Sequence, residues 1–72
     1  MRWSVGSDHI VRAEKEGVRV EIGLVSNRTR YRISIYDGGG LVGKYGPYIQ
    51  LPRAKKAAED HVRRLLSAKE EA

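Results

Sequence analysis

Thr29-Arg30-Tyr31-Arg32-Ile33-Ser34-Ile35-Tyr36 alternates without a break. Tyr31, Ile33 and Ile35 point one way, and Arg30, Arg32, Ser34 and Tyr36 the other. A period of two marks a strand with one buried and one solvated face. Val18-Arg19-Val20-Glu21-Ile22-Gly23-Leu24 repeats the pattern. A tight turn at Asn27-Arg28 would set Leu24 beside Tyr31, Ile22 beside Ile33 and Val20 beside Ile35. Every such pair is apolar, and a slip of one residue would turn each strand inside out. The same register sets Arg19 and Glu21 beside Tyr36 and Ser34 on the other face. The hairpin therefore has an oily inner face and an arginine-bearing outer one, which suits an anionic partner.

The rest of the chain must cover that inner face. With 72 residues, a single small domain over 1–72 is expected. Such a domain buries only about 60% of its unfolded surface. There is no cysteine, so no disulfide can support it. Residues 9–14 read as a first strand whose place in the sheet the pattern leaves open. Lys15-Glu16-Gly17 reads as a turn, 18–25 as the next strand and 30–36 as the one after. A three-residue glycine loop after Asp37 would direct Leu41, Gly43 and Tyr45 inward and Val42 and Lys44 outward. Gly46-Pro47 should bend the following strand, because proline cannot donate to a ladder.

Pro52 suits the first turn of a helix. From Arg53 to about Lys69, the apolar positions Ala54, Ala57, Ala58, Val62, Leu65, Leu66 and Ala68 recur at helical spacing. His61 lies at the edge of this stripe, and 69–72 should fray. Trp3 is expected to close the core of a chain without phenylalanine. The fold class is α+β: an antiparallel meander of three to four strands with one C-terminal helix on one face.

Catalytic chemistry is not visible. Gly38-Gly39-Gly40-Leu41-Val42-Gly43 satisfies G-x-G-x-x-G, but Tyr45 stands where a P-loop needs Ser or Thr, and Gly46-Pro47 cannot open its helix. It reads as a hairpin turn. Two histidines without a thiol do not make a zinc site. No nucleophile–base pair stands out, and a non-enzyme without cofactor or metal is expected. No apolar run serves as a signal peptide or a membrane span. A cytoplasmic location is expected, and Asn27-Arg28-Thr29 then reads as a turn, not a glycan acceptor.

The formal net charge is +5 and the sequence pI about 9.9, which favours anionic partners. Arg53, Lys55 and Lys56 crowd the helix start, where the macrodipole prefers acids. Either this basic end binds anions or its charges are simply screened by solvent. Aromatics among arginines suit stacking on bases or sugars. Tyr36 belongs to the outer face, whereas Tyr45 and Tyr48 suit core or sheet-edge packing.

Strands at Val18-Arg19-Val20-Glu21 and Arg30-Tyr31-Arg32-Ile33-Ser34-Ile35-Tyr36-Asp37, then a helix opening Leu51-Pro52-Arg53-Ala54-Lys55-Lys56-Ala57-Ala58-Glu59, resemble the DNA-binding domains of the AP2 type and of certain integrases. The chain departs from them at Gly46-Pro47, at Leu51 before the proline, and in its N-terminal segment. The resemblance implies a sheet face that enters the major groove, with Arg19, Arg30, Arg32 and Lys44 toward DNA. The expected nucleic-acid-binding set is Arg19, Arg28, Arg30, Arg32, Tyr36, Lys44, Arg53, Lys55 and Lys56, with duplex DNA first and RNA second. The alternative is a protein-interaction module, monomeric or homodimeric, that binds an acidic protein surface.

Overall fold

The computed structural model describes residues 1–25 and 30–71. Five strands, β1 (Ser4–Val5), β2 (Val11–Lys15), β3 (Val18–Val25), β4 (Arg30–Asp37) and β5 (Gly40–Tyr48), precede one helix, α1 (Leu51–Glu71). They form one antiparallel sheet in the order β1-β2-β3-β4-β5. The α+β meander with a C-terminal helix is thus observed, with five strands instead of three to four. β1 carries no alternation in its two exposed residues. It exists because Ser4 and Val5 pair with Arg12 and Val11.

The central hairpin has the register that its apolar pairs demand. Leu24 lies opposite Tyr31, Ile22 opposite Ile33 and Val20 opposite Ile35. The turn expected at Asn27-Arg28 lies outside the described residues. β2 and β3 are joined by Glu16-Gly17, both with positive φ. That backbone twist matches the twist of the flanking strands.

The glycine turn differs from the three-residue loop. Asp37 pairs with Gly40, so only Gly38 and Gly39 form the loop, at φ of 60° and 88°. Tyr36 pairs with Leu41 and Ile35 with Gly43, which makes Val42 an extra residue in a bulge. Leu41 therefore lies across from Tyr36, not on the inner face. Beyond the bulge, Gly43 and Tyr45 lie opposite Ile35 and Ile33, and Lys44 opposite Ser34, as expected. A second irregularity, between the Ile33–Tyr45 and Tyr31–Tyr48 pairs, spans Gly46-Pro47. It sits on an edge strand, where a missing N–H costs the ladder least.

Val11, Ala13, Val18, Val20, Ile22, Ile33 and Ile35 form the buried sheet face, and Ala54, Ala58 and Val62 of α1 pack on it. Burying each large side chain contributes roughly 1.5–3 kcal/mol. The two alanines let the helix backbone come close to the sheet. Gln50 C=O accepts the Ala54 N–H at 3.1 Å, the bond that opens the helix. The helix continues to Glu71. The Lys69 ammonium holds Asp37 of β4 at 2.8 Å. Trp3 packs against the core, and its Nε1–H donates to Glu59 Oε2 at 3.2 Å.

Candidate nucleic-acid interface on the open sheet face

α1 covers the inner face, and no described element covers the outer one. The pairing arranges that face in rows. Arg12, Glu21, Ser34 and Lys44 form one row from β2 to β5, and Glu14, Arg19, Tyr36 and Leu41 the next. Gly23 lies opposite Arg32, and Val25 opposite Arg30. The alternation that drives Ile33 and Ile35 inward thus presents Arg30 and Arg32 outward, and both are exposed.

Electrostatically the face has two halves. On the β2 side, Arg12 binds Asp8 at 2.7 Å and Glu21 at 3.2 Å, and Arg19 approaches Glu21 at 3.7 Å. Hydrogen bonds from the Arg12 side chain and then from the Ile10 N–H hold the Asp8 carboxyl at about 2. Asp8 and then Glu21 raise Arg12 above its ordinary value. The Arg19 guanidinium also lies over the Tyr36 ring, 4.9 Å from its centroid. On the β4 side, Arg30, Arg32 and Lys44 are exposed and make no ion pair among the described residues. The acids of this face therefore offset Arg12 and Arg19, and the cations of β4 and β5 remain available.

Gly23 breaks the side-chain layer. Its φ is ordinary, and a Cβ built there meets nothing within 4 Å. Neither the turn chemistry nor the packing requires glycine, which inside a strand costs roughly 0.5–1 kcal/mol relative to alanine. A hollow of about 150 Å³ lies over it, lined by Ile10, Glu21, Gly23, Val25, Arg32 and Ser34.

The helix cations do not join this face as one group. Lys56 is exposed, on a helix packed against the opposite side of the sheet. The Lys55 ammonium lies 5.9 Å from the centroid of Trp3, a structural contact between residues far apart in sequence. Arg53 alone reaches toward the sheet cations. It shares a cleft of about 340 Å³ with Arg30, Pro47, Tyr48, Ile49 and Gln50, at the end of the sheet. Arg28 lies outside the described residues.

Tyr45 is an inner-face residue, stacked on His61 with centroids 3.7 Å apart and planes at 13°. Its ring covers Gly43, where a Cβ would stand 2.6 Å from the tyrosine hydroxyl. Tyr48 packs against the core. Three features escaped the sequence reading: the Asp8–Arg12–Glu21 network, the hollow at Gly23, and the Lys55–Trp3 contact. Only the second left a trace, a glycine inside an otherwise regular strand. Leu41 and Val42, at 50% and 53% exposure, add apolar surface at the β5 edge.

Among the described residues no group of three His, Asp or Glu could hold a metal ion. Among the described residues no helix is long and apolar enough to cross a membrane. Comparison with protein-family models, with curated proteins and with solved structures yields no match, so the functional reading rests on the geometry of this face.

Proposed function

We propose that the chain is a nucleic-acid-binding module that applies the outer face of its sheet to duplex DNA first, and to RNA second. One observation carries the reading. A sheet face left open by the helix bears Arg30, Arg32 and Lys44 without ion-pair partners among the described residues, beside the Arg19–Tyr36 stack. Arginines on a strand reach base edges in a major groove, and guanine is the base they read best. Arg53 extends the cationic surface around the sheet end through its cleft with Arg30. Lys55 and Lys56 fall outside this interface.

The test is equilibrium binding of labelled duplex DNA and RNA by the Arg30→Ala/Arg32→Ala variant. Both side chains are exposed, so the circular dichroism spectrum and melting temperature should hold. Each arginine that reads a base contributes about 1–3 kcal/mol, so affinity should fall more than tenfold. A folded variant that binds normally would exclude the sheet face as the site.

The exposed Leu41 and Val42 next to Tyr36 favour a second reading, binding to an acidic protein surface. Apolar and aromatic groups beside arginine are what such interfaces use. Absence of DNA and RNA binding by the wild type at about 50 mM salt would select it.

A further inference from the structure

We propose that the hollow over Gly23 is a slot for a single unstacked nucleobase, so that this face prefers nucleic acid with an unpaired base over a continuous duplex. The inference rests on the nucleic-acid reading above and specifies its ligand. The slot is a missing side chain. Gly23 stands in β3 with Arg32 directly across on β4, and Ile10, the residue before β2, borders the hollow on the other side. Glu21 and Val25, two residues away on either side, close the ends, and the floor is bare peptide. A second hollow of about 520 Å³, lined by Asp8, His9, Ile10, Gly23 and Leu24, adjoins it past Ile10.

The walls select a planar ring. Ile10 and Val25 supply apolar surface, and Arg32 supplies a flat guanidinium on which a base can stack. The Arg32 N–H groups and the Ser34 hydroxyl can donate to ring nitrogens and carbonyls. The one acid lining the slot, Glu21, is held by Arg12, as is Asp8 of the neighbouring hollow. Arg32 is the one cation at the slot without an ion pair among the described residues, and Arg30 and Lys44 flank it for the neighbouring phosphates. This charge arrangement favours a base within a polyanion over an aromatic side chain of a protein. A base paired inside a duplex cannot descend to the floor of the slot, whereas a bulged or single-stranded base can.

The test compares three labelled duplexes of the same flanking sequence by fluorescence anisotropy: fully paired, with one bulged base, and with an abasic residue in the bulge. The wild type should bind the base-containing bulge about tenfold more tightly than the other two. Gly23→Val fills the slot with a β-branched residue, at a position with ordinary φ and no neighbour within 4 Å. Its bulged-to-paired affinity ratio should fall to about one. Equal wild-type binding of all three duplexes would overturn the slot and leave the nucleic-acid reading standing, as would a folded Gly23→Val variant that keeps the wild-type ratio. The abasic comparison uses unaltered protein and decides the matter even if that variant does not fold. Wild type that binds none of the three at low salt would overturn the nucleic-acid reading itself, and the slot with it.

Discussion

Gly43 and Tyr45 illustrate how one residue dictates another. Both lie on the inner side of β5, and the Tyr45 ring can fold over Gly43 onto His61 only because position 43 has no Cβ. Gly43→Ala should push the ring off its stack, at a cost of about 0.5–1.5 kcal/mol, the range for an aromatic pair. In a His61→Ala background that stack is already gone. The same change should then be neutral or stabilising, since alanine replaces a strand glycine. A thermal double-mutant cycle measures the difference, and simple additivity would contradict the coupling. At the other sheet edge, Asp8 and Arg12 set a pH response. A carboxyl whose folded pKa is depressed adds stability above its unfolded value and loses it as pH falls through the folded one. Asp8, lowered from 3.8 to about 2, therefore contributes at neutral pH and stops contributing in strong acid. Removing Arg12 takes away the largest cause, so Arg12→Ala should move the Asp8 titration up toward 3.8. Carboxyl carbon shifts followed by NMR report this directly, and an unmoved titration would show that the Ile10 N–H suffices.

At the scale of elements, the helix carries two kinds of basic residue in its opening turns. Lys55 lies over Trp3, whose Nε1–H donates to Glu59. Lys55→Glu would lose the contact with the ring and set two acids at i,i+4, so the melting temperature should fall. Arg53 is exposed near the helix start. Arg53→Glu should hold or raise stability by about 0.3–1 kcal/mol, because the macrodipole favours an acid there, while binding to nucleic acid weakens. Equal loss from both variants would contradict the assignment of Lys55 to the fold and Arg53 to the surface. The β3–β4 hairpin and the helix stripe were legible in the sequence because each repeats one period over many residues, Val18 to Ile35 by twos and Ala54 to Leu66 by threes and fours. The glycine turn was only half legible. Alternation fixes the parity of Gly43, Lys44 and Tyr45, and a three-residue loop has the same parity as a two-residue loop plus a bulge at Val42. β1 was not legible, since two exposed residues held by backbone pairing carry no pattern. Of the candidate site, Arg30 and Arg32 followed from alternation. The neutralisation of Arg12 by Asp8 and Glu21 did not, because the 8–12 contact depends on how the chain folds before β2. The division of the helix lysines depends on Trp3, more than fifty residues away.

At the scale of the molecule, the two layers assign separate roles to the two sides of the sheet. The core and helix occupy one side, and the available cations of β4 and β5 occupy the other. Ile33→Ala, at a position with 0% exposure, should cost about 2–5 kcal/mol. Alanine at Arg30 and Arg32 should cost almost nothing in stability. Lys44 lies opposite Ser34, four residues from Arg30, about 14 Å along the strand, so a duplex laid along the face could meet both Lys44 and the Arg30–Arg53 end. The most direct measurement is the salt dependence of duplex-DNA affinity for the wild type, for Arg30→Ala/Arg32→Ala, and for Arg63→Ala/Arg64→Ala on the exposed side of the helix. Contacts from Arg30, Arg32, Lys44 and Arg53 should give a log–log slope of about −3 to −4. The sheet variant should flatten that slope by about 2, and the helix variant should leave it unchanged. A wild type without measurable binding at about 50 mM salt, or a helix variant that flattens the slope as much as the sheet variant, would contradict binding through the open sheet face.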